Sequence, residues 1–352
     1  MKLATYSYAG AQGRRSRVGV PVEGGMIDVT NAAAELLRSR KGGTRAREVA
    51  EAVTPPDMIE FIATGAMALE LAGEAVEAVR DTTIGPLTSD GARILWPREE
   101  IRLEAPLRPV SMREFGVYTG HLEHLGIRIP EAWYKLPLYF KGNPESVIGP
   151  EATIRWPAFT TMLDFELEIG AVIGRPGRDL GREEAMDAVF GYTIFNDVSA
   201  RDIQQAEQTY QVGPAKGKDF CNVLGPVIVT RDELGDGDLE VRVRLNGREW
   251  THTTTAGMYH PWPDLVAHAS WEEDLVPGDL LTAGTVAGCC ATEYFLDRGR
   301  PVSEGLLEPG DVIELEVTGI GILRNTVGDR PPQLDLDYRP TGPFTPGPSG
   351  GR

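Results

Sequence analysis

Alternating apolar and polar positions are the clearest pattern in this chain, and they predict a β-rich region from about residue 103 onward. Within residues 163–172, apolar side chains alternate with Asp164, Glu166 and Glu168, whose carboxylates a strand directs to one face. Further elements are predicted as strands at 239–245, 279–282 and 311–317 and as short helices at 182–189 and 264–270. This pattern is typical of an α+β region built on a rolled or barrel-like sheet.

Residues 1–102 follow a different pattern and predict a smaller N-terminal α/β domain. The expected elements are strands at 2–8 and 17–21, a turn at Gly24-Gly25, a helix at 31–39 capped by Thr30 or Asn31, and one long amphipathic helix at 57–80. No chemistry is recognisable there. We therefore expect a supporting domain at 1–102, a mostly β catalytic domain at 103–330, and a disordered Pro/Gly-rich tail at 331–352.

Composition and charge narrow the classes of function. The chain is 41% hydrophobic and 25% charged, as in ordinary globular proteins, and its formal charge is −17, from 35 Lys and Arg against 52 Asp and Glu. A surface this acidic repels nucleic acids and anionic lipids. With no apolar run of membrane-spanning length and no signal peptide, we expect a cytoplasmic protein. An anionic substrate would then need a bound metal or a buried Lys or Arg.

The three cysteines have no disulfide or zinc-binding spacing. Cys289 and Cys290 are adjacent, and Cys221 is remote in sequence. We interpret them as small buried residues in a reducing compartment. Spacing gives no support to a Cys289 nucleophile paired with a histidine.

Acidic residues near the predicted strands indicate a metal site. Period-two geometry directs the carboxylates of Glu166 and Glu168 the same way, with Cβ atoms about 7 Å apart. Taken alone, this pair is more typical of a solvated strand face than of a metal site. However, the strand that ends at Asp197 supplies another acid, and Glu114 lies seven residues before His121. Three or four converging carboxylates would suit a hard cation such as Mg²⁺, Mn²⁺ or Ca²⁺.

Five blocks in this region together resemble the fumarylacetoacetate hydrolase superfamily, which includes isomerases and acylpyruvase-like enzymes. They are DFELEIGAVIG, GYTIFNDVSARDIQ, KGKDFCNVLGP, PGDLLTAGTVAG and LEPGDVIELEVTGIGILRN, in the family's order within about residues 110–328. The resemblance implies a β-roll catalytic domain, a homodimer, and a divalent cation, with Mg²⁺ as our first choice. The implied substrate is a small oxo-acid or diketone.

The resemblance also assigns roles to individual residues. It implies that Glu166, Glu168 and Asp197 hold the metal, while Glu114 occupies a position that is an aspartate in some members. His121 matches the catalytic histidine. Its carboxylate partner is placed at Glu293, with Glu304 as the alternative if the local alignment shifts. The remaining implied residues are Lys218 as a catalytic group and Arg201, Gln204, Tyr118, Thr285 and Gly288 as substrate-binding groups.

Each role has a simpler structural explanation beside it. His121 could be a structural histidine, and His124 is a weaker candidate for the same role. Lys218 could be a solvated loop charge, and Arg201 could form a structural ion pair with Asp202. Glu293 could likewise have a structural or surface role.

Two departures from the family pattern concern the substrate. Gly116 and Phe140 stand where members that cleave fumarylacetoacetate have tyrosines, so two hydroxyl donors are lost. This favours a different diketone-like substrate. The predicted function is hydrolysis of a C–C bond in an acylpyruvate-like acid, with water activated by His121 and Glu293 and an enolate leaving group stabilised by the cation. The alternatives are decarboxylation, isomerisation or hydration on the same fold, or a metal-stabilised binding protein without catalysis.

Overall fold

A computed structural model of the chain describes residues 1–10, 13–41, 43–209, 213–302 and 306–334. Most of the predicted tail, residues 335–352, lies outside this description, so its disorder stays a prediction. Within the described residues, no helix is both long enough and apolar enough to cross a membrane.

The described chain folds into nineteen strands and eleven α-helices, with three short 3₁₀ helices between them. The strands are β1 Lys2–Gly10, β2 Gly13–Val22, β3 Gly25–Asp28, β4 Leu95–Pro97, β5 Ile101–Leu103, β6 Met112–Phe115, β7 Tyr139–Lys141, β8 Val147–Ile148, β9 Thr153–Ile154, β10 Leu163–Asp164, β11 Leu167–Ile173, β12 Val189–Asp197, β13 Ser199–Ala200, β14 Asn222–Thr230, β15 Glu240–Leu245, β16 Arg248–Thr254, β17 Leu280–Thr282, β18 Val312–Val317 and β19 Gly321–Val327. The helices are α1 Val29–Lys41, α2 Ala46–Val53, α3 Met58–Thr64, α4 Ala66–Arg80, α5 Thr119–His124, α6 Glu131–Lys135, α7 Arg182–Ala185, α8 Arg201–Thr209, α9 Arg231–Leu234, α10 Trp262–Ala269 and α11 Ala291–Leu296.

Two large sheets form the centre of the molecule. The larger has twelve strands, in the order β4-β3-β2-β1-β14-β12-β11-β17-β6-β7, with β5 paired to β1 and β8 to β14. The second has the order β16-β15-β18-β19-β9, and β10 pairs with β13 separately. The prediction of a mixed α and β chain with extensive sheets is confirmed at this level.

The N-terminal strands join the sheet that contains β11 and β12. Strand β1 pairs with β14 through Lys2 opposite Val229 and Leu3 opposite Ile228. The sheet therefore crosses the predicted boundary at residue 102, and the division into domains stays a prediction.

Both faces of the central strands are buried. On β12, Ile194 packs into one hydrophobic cluster and its neighbour Phe195 into the other. The second cluster also contains Phe61 and Ala72 from the N-terminal helices. Because helices α1–α4 cover one face of the sheet, β12 and β14 are apolar on both sides and do not alternate with polar residues.

The long helix predicted at 57–80 is divided in two. Gly65 has φ of 70° and separates α3 from α4. Glycine adopts this left-handed backbone at little cost, so the apolar periodicity continues while the helix axis does not. Asp57 begins α3, and its carboxylate accepts hydrogen bonds from the backbone N–H groups of Ile59 and Glu60.

The alternating segment at 163–172 is also less regular than predicted. It forms β10 and β11 with residues 165–166 between them, where Glu166 makes an isolated bridge with Cys290. Asn246 and Gly247 form a tight turn that joins β15 to β16, and both residues have positive φ, 53° and 75°.

Helix α1 begins two residues earlier than predicted, and its N-terminal cap is Asp28 and not Thr30 or Asn31. The Asp28 carboxylate accepts a hydrogen bond of 2.8 Å from the backbone N–H of Asn31. It also accepts hydrogen bonds from the Tyr6 hydroxyl at 2.6 Å and from the Arg17 guanidinium. Asp28 is fully buried, so these partners compensate the loss of its hydration.

We predict that Asp28→Ala lowers the free energy of unfolding by about 3–5 kcal/mol, because it leaves the Arg17 charge without its buried partner. Asp57→Ala is the control: it removes an exposed cap and should cost about 1 kcal/mol. Urea unfolding followed by circular dichroism measures both. Equal losses for the two variants would contradict this account of Asp28.

Candidate active site

A cavity of about 570 Å³ lies among strands β6, β11 and β12 and helices α5, α8 and α11. Four of its buried lining residues are acids. Glu114 comes from β6, Glu168 from β11, Asp197 from the end of β12, and Glu166 from the link before β11. The strand order β12-β11-β17-β6 brings these acids to one end of the sheet.

Three of the acids form a tight group. One carboxylate oxygen from each of Glu166, Glu168 and Asp197 lies within 4.8 Å of the others. The backbone N–H of Gly284 donates a hydrogen bond of 3.2 Å to Glu168. The structure therefore brings together the three residues expected to bind metal.

Glu114 faces the same cavity but is not part of this group of three. It is buried, and neither carboxylate oxygen has a hydrogen-bond partner. Burial raises its pKa well above the usual range, and the nearby charges of Asp197 and Glu168 raise it further. This arrangement does not establish that Glu114 binds a cation directly, so that role stays a prediction.

Two buried cations already contact the acids. The Lys218 ammonium lies 2.6 Å from Glu166 and 2.5 Å from Asp197. Arg201 Nη2 lies 2.8 Å from Asp164 and 2.6 Å from Glu166. Burial alone would raise the pKa of Glu166, but the charges of Arg201 and Lys218 outweigh it and hold that pKa below its usual range.

The acidic residues of the cavity carry more negative charge than Lys218 and Arg201 neutralise. Burial, together with the charge of Glu166, raises the pKa of Asp197 to about 7 even though Lys218 opposes the shift. Burial and the charges of Asp197 and Glu166 raise the pKa of Glu168 as well. One Asp197 oxygen has no hydrogen-bond partner. Buried, partly unpartnered oxygens with excess negative charge are what a hard divalent cation binds, so these residues fit such an ion.

His121 lies between the acidic group and a second carboxylate. Its Nδ1 is 3.2 Å from Glu293 Oε2, and its Nε2 is 3.9 Å from Glu166 Oε1. Burial alone would raise the pKa of Glu293, but His121 and the N–H of Gly288 hold it below the usual range. An ionised carboxylate on one side of the imidazole orients the other nitrogen toward the acids.

Glu293 has several further contacts. Gly288 donates its backbone N–H to Oε1 at 3.0 Å, and the Cys290 thiol donates to Oε2 at 3.3 Å. His124 Nδ1 also lies 3.2 Å from Oε1, so two imidazoles share this carboxylate. His124 is more exposed than His121, and the cavity is lined by His121.

The predicted substrate-binding residues divide into two groups. Gln204 and Thr285 line the cavity together with Arg201. Tyr118 instead lines a separate cavity of about 50 Å³, where burial and the charge of Glu168 raise its pKa. Gly288 contacts Glu293 and does not line the main cavity. Substrate contact by Tyr118 and Gly288 stays a prediction without geometric support.

Arg201 and Lys218 do not have the simpler structural roles that their sequence neighbours suggested. Arg201 pairs with Asp164, whereas Asp202 accepts hydrogen bonds from Thr160 and Thr161. Lys218 is buried among acids and is not a solvated loop charge.

Glu304 and Cys289 were weaker candidates for chemistry at this site. Glu304 lies outside the described residues, so the structure does not test it as a partner for His121. Burial, followed by the charge of Glu293, raises the pKa of the Cys289 thiol, which disfavours the thiolate that a nucleophile requires.

Sequence reasoning did not assign roles to two residues that support the site. Asp164 binds Arg201 and accepts the backbone N–H groups of Ala291 and Thr292, so it fixes the start of the helix that contains Glu293. The sequence signal that could have indicated this role is the two-residue spacing between Asp164 and Glu166, which places both on one face of the predicted strand. Gly142 lies against Glu114: a Cβ there would be 1.8 Å from Oε1. No sequence pattern indicated that contact.

Both the sequence and the fold are similar to characterised proteins. The family profile described as Fumarylacetoacetate (FAA) hydrolase C-terminal matches residues 113–328. A mitochondrial oxaloacetate tautomerase of Xenopus laevis is 33% identical over 276 residues, covering 78% of this chain and 79% of the relative. The fumarylacetoacetate hydrolase of Exiguobacterium antarcticum matches in structure with a TM-score of 0.65 at 26% identity, covering 93% of this chain and 100% of that one. The 5-carboxymethyl-2-hydroxymuconate delta-isomerase of Mycobacterium smegmatis matches with a TM-score of 0.60 at 25% identity, covering 94% and 100%.

We predict that Gly142→Ala weakens Mn²⁺ binding by at least about tenfold, the usual effect of disturbing groups around a metal site. The added methyl group would displace the Glu114 carboxylate. Gly181→Ala is the control, because a Cβ there meets nothing within 4 Å. Calorimetric titration of both folded variants tests this, and unchanged affinity in Gly142→Ala would mean that Glu114 does not contribute to binding.

We also predict that Mg²⁺ stabilises the protein more at about pH 8 than at about pH 6. A carboxyl whose pKa rises on folding, such as Asp197 at about 7, stabilises the fold below its unfolded pKa. That contribution is lost as the pH rises through the folded pKa. Protons therefore compete with the cation at the lower pH. This competition weakens the binding free energy of Mg²⁺ by up to about 1.4 kcal/mol per displaced proton per pH unit.

Thermal melting with and without Mg²⁺ at both pH values measures this difference. Glu168→Gln is the comparison variant and should lose most of the Mg²⁺ response at either pH. A response in the unaltered protein that does not depend on pH would contradict the proton competition.

Proposed function

Since this chain belongs to the fumarylacetoacetate hydrolase family, we propose that it is a metal-dependent hydrolase that cleaves a C–C bond in an acylpyruvate-like oxo-acid. The supporting observation is the position of His121. One imidazole nitrogen contacts the buried Glu293, and the other faces the acidic group across the cavity. A base held in this way can accept a proton from water beside a bound substrate.

The proposed cofactor is Mg²⁺, with Mn²⁺ or Ca²⁺ as alternatives. Glu166, Glu168 and Asp197 would hold the ion, with Glu114 next to them. When bound, it supplies Lewis-acid stabilisation for oxygens of a 1,3-dicarbonyl acid.

His121 would act first as general base and then as general acid. Its Nε2 takes a proton from water, and the water oxygen forms a bond to the distal carbonyl carbon of the substrate. The bond between this carbon and the methylene carbon then breaks, and its electron pair forms the pyruvate enolate. The imidazolium returns the proton to the methylene carbon, giving pyruvate and a carboxylic acid. Glu293 stabilises the imidazolium between these two transfers.

Lys218 and Arg201 limit the build-up of negative charge. Both are buried, and both contact Glu166. A fixed positive charge next to a developing enolate lowers the barrier without reorganisation of solvent. Burial alone would lower the pKa of Lys218, but the charges of Asp197 and Glu166 outweigh it and raise that pKa. Lys218 therefore keeps its positive charge.

Keto–enol isomerisation is the second candidate function. The similarity to an oxaloacetate tautomerase and to a delta-isomerase favours it. In that reaction His121 would move a proton between carbon and oxygen, and no water would attack. Both reactions use the same base, so product analysis must separate them.

We predict that the protein loaded with Mg²⁺ converts an acylpyruvate to pyruvate and a carboxylic acid. His121→Ala should lower kcat by about 10²–10⁴-fold, the usual contribution of a general base. Its Mn²⁺ affinity should be retained. His252→Ala is the control, since this exposed histidine pairs with Glu240 away from the cavity. Mass spectrometry of the products and calorimetry measure the two effects.

A product of unchanged mass would exclude hydrolysis and support isomerisation, and release of CO₂ would indicate decarboxylation. Loss of Mn²⁺ binding in His121→Ala would show that this residue acts on the metal site and not as a separate base. Activity that persists after removal of divalent ions with EDTA would contradict the proposed metal dependence.

A further inference from the structure

The lining of the active-site cavity is acidic at its buried end and apolar at its open end. The carboxylates of Glu114, Glu166, Glu168 and Asp197 belong to residues that are only 2–3% exposed. Ile127, Leu138 and Leu296 line the same cavity and are 43%, 42% and 40% exposed. A substrate whose oxo-acid end reaches the carboxylates therefore extends past these three apolar side chains.

The apolar end is formed by separate parts of the chain. Ile127 follows α5, Leu138 precedes β7, and Leu296 ends α11. Leu122 and Val302 line the cavity as well. Apolar side chains that converge from several elements and are left partly exposed are typical of a ligand-binding surface.

Among the described residues, no further Arg or Lys side chain lines the open end of the cavity. Arg201 and Lys218 are the Arg and Lys side chains that line the cavity, and each already contacts two buried carboxylates. The segments 210–212 and 303–305, outside the described residues, contain no Lys or Arg in the sequence. A second carboxylate on the substrate would thus lose hydration without gaining a partner.

Two positions that line the cavity also lack hydroxyl groups. Gly116 lines the cavity with open space where a side chain would begin, and Phe140 is a half-buried hydrocarbon ring. The polar lining residues Gln205 and Gln208 are exposed and uncharged. These groups provide volume and apolar contact but no charge to bind a substrate anion.

We propose that the substrate is a 2-oxo acid whose distal acyl chain is apolar and uncharged, and that Ile127, Leu138 and Leu296 cover this chain. The inference rests on the proposed function for the oxo-acid end of the substrate. Such a substrate carries one negative charge, unlike oxaloacetate, the dicarboxylate in the name of the Xenopus relative.

The test uses N-alkyl oxamates, which resemble 2-oxo acids but have no C–C bond that this reaction cleaves. With the Mg²⁺-loaded protein, calorimetry should show affinity rising by up to about fourfold per added methylene, the effect of burying one CH₂ group. Oxamates of equal length that end in a carboxylate should bind at least about tenfold more weakly, because their charge is desolvated without a partner.

Leu296→Arg should reverse this preference. The new guanidinium would pair with a terminal carboxylate, so carboxyalkyl oxamates should gain affinity while hexyl oxamate loses it. Leu87→Arg is the matched control, because Leu87 is 52% exposed and does not line this cavity. It should bind both series as the unaltered protein does.

The outcomes separate this inference from the proposed function. An affinity that does not change with chain length, as expected if a second copy of the chain covers the apolar end, would overturn the inference. So would a preference of the unaltered protein for the carboxylate series. If alkyl oxamates bind as expected but no acylpyruvate is cleaved, the apolar substrate class stands and the proposed hydrolysis fails.

Discussion

Burial of more carboxylates than cations in one cavity is the constraint on which this site depends. Glu114, Glu168 and Asp197 all have raised pKa values, because burial disfavours their charged forms and because Lys218 and Arg201 neutralise only part of the charge around them. An uncompensated buried charge is costly, so an arrangement of this kind persists when it has a function. A divalent cation would neutralise the carboxylates, and the loss of their mutual repulsion would favour its binding.

The sheet makes this burial feasible. N-terminal helices cover one face of β12 and β14, and the hydrophobic cluster that contains Ile194 covers the other. The strands therefore exclude water along their length and expose functional groups only where they end. Asp197 lies at such an end, in register with Asn222 of β14. The N-terminal part thus supports the site by packing against its strands, without lining the catalytic cavity itself.

The position of His121 places a candidate proton-transferring group beside the acidic residues. The imidazole contacts Glu293, which is buried and ionised, and it faces the acids with its other nitrogen. Asp164 holds both Arg201 and the start of α11, so the guanidinium and the helix that contains Glu293 are positioned together. One end of the cavity is consequently rigid and charged, while the other is apolar and open to variation in the substrate.

The sequence alone determined the chemical identity of the site. The alternation of Glu166 and Glu168, the acid at the end of the next strand, and the motif around His121 are local patterns that period-two geometry and resemblance can interpret. Only the tertiary structure decided which groups meet. It placed Lys218 between Glu166 and Asp197, paired Arg201 with Asp164 and not with Asp202, set Gly142 against Glu114, and placed Tyr118 in a separate, smaller cavity. Periodicity shows which face of an element a side chain occupies, but contacts between residues far apart in sequence depend on how those faces pack, and packing is a property of the whole fold.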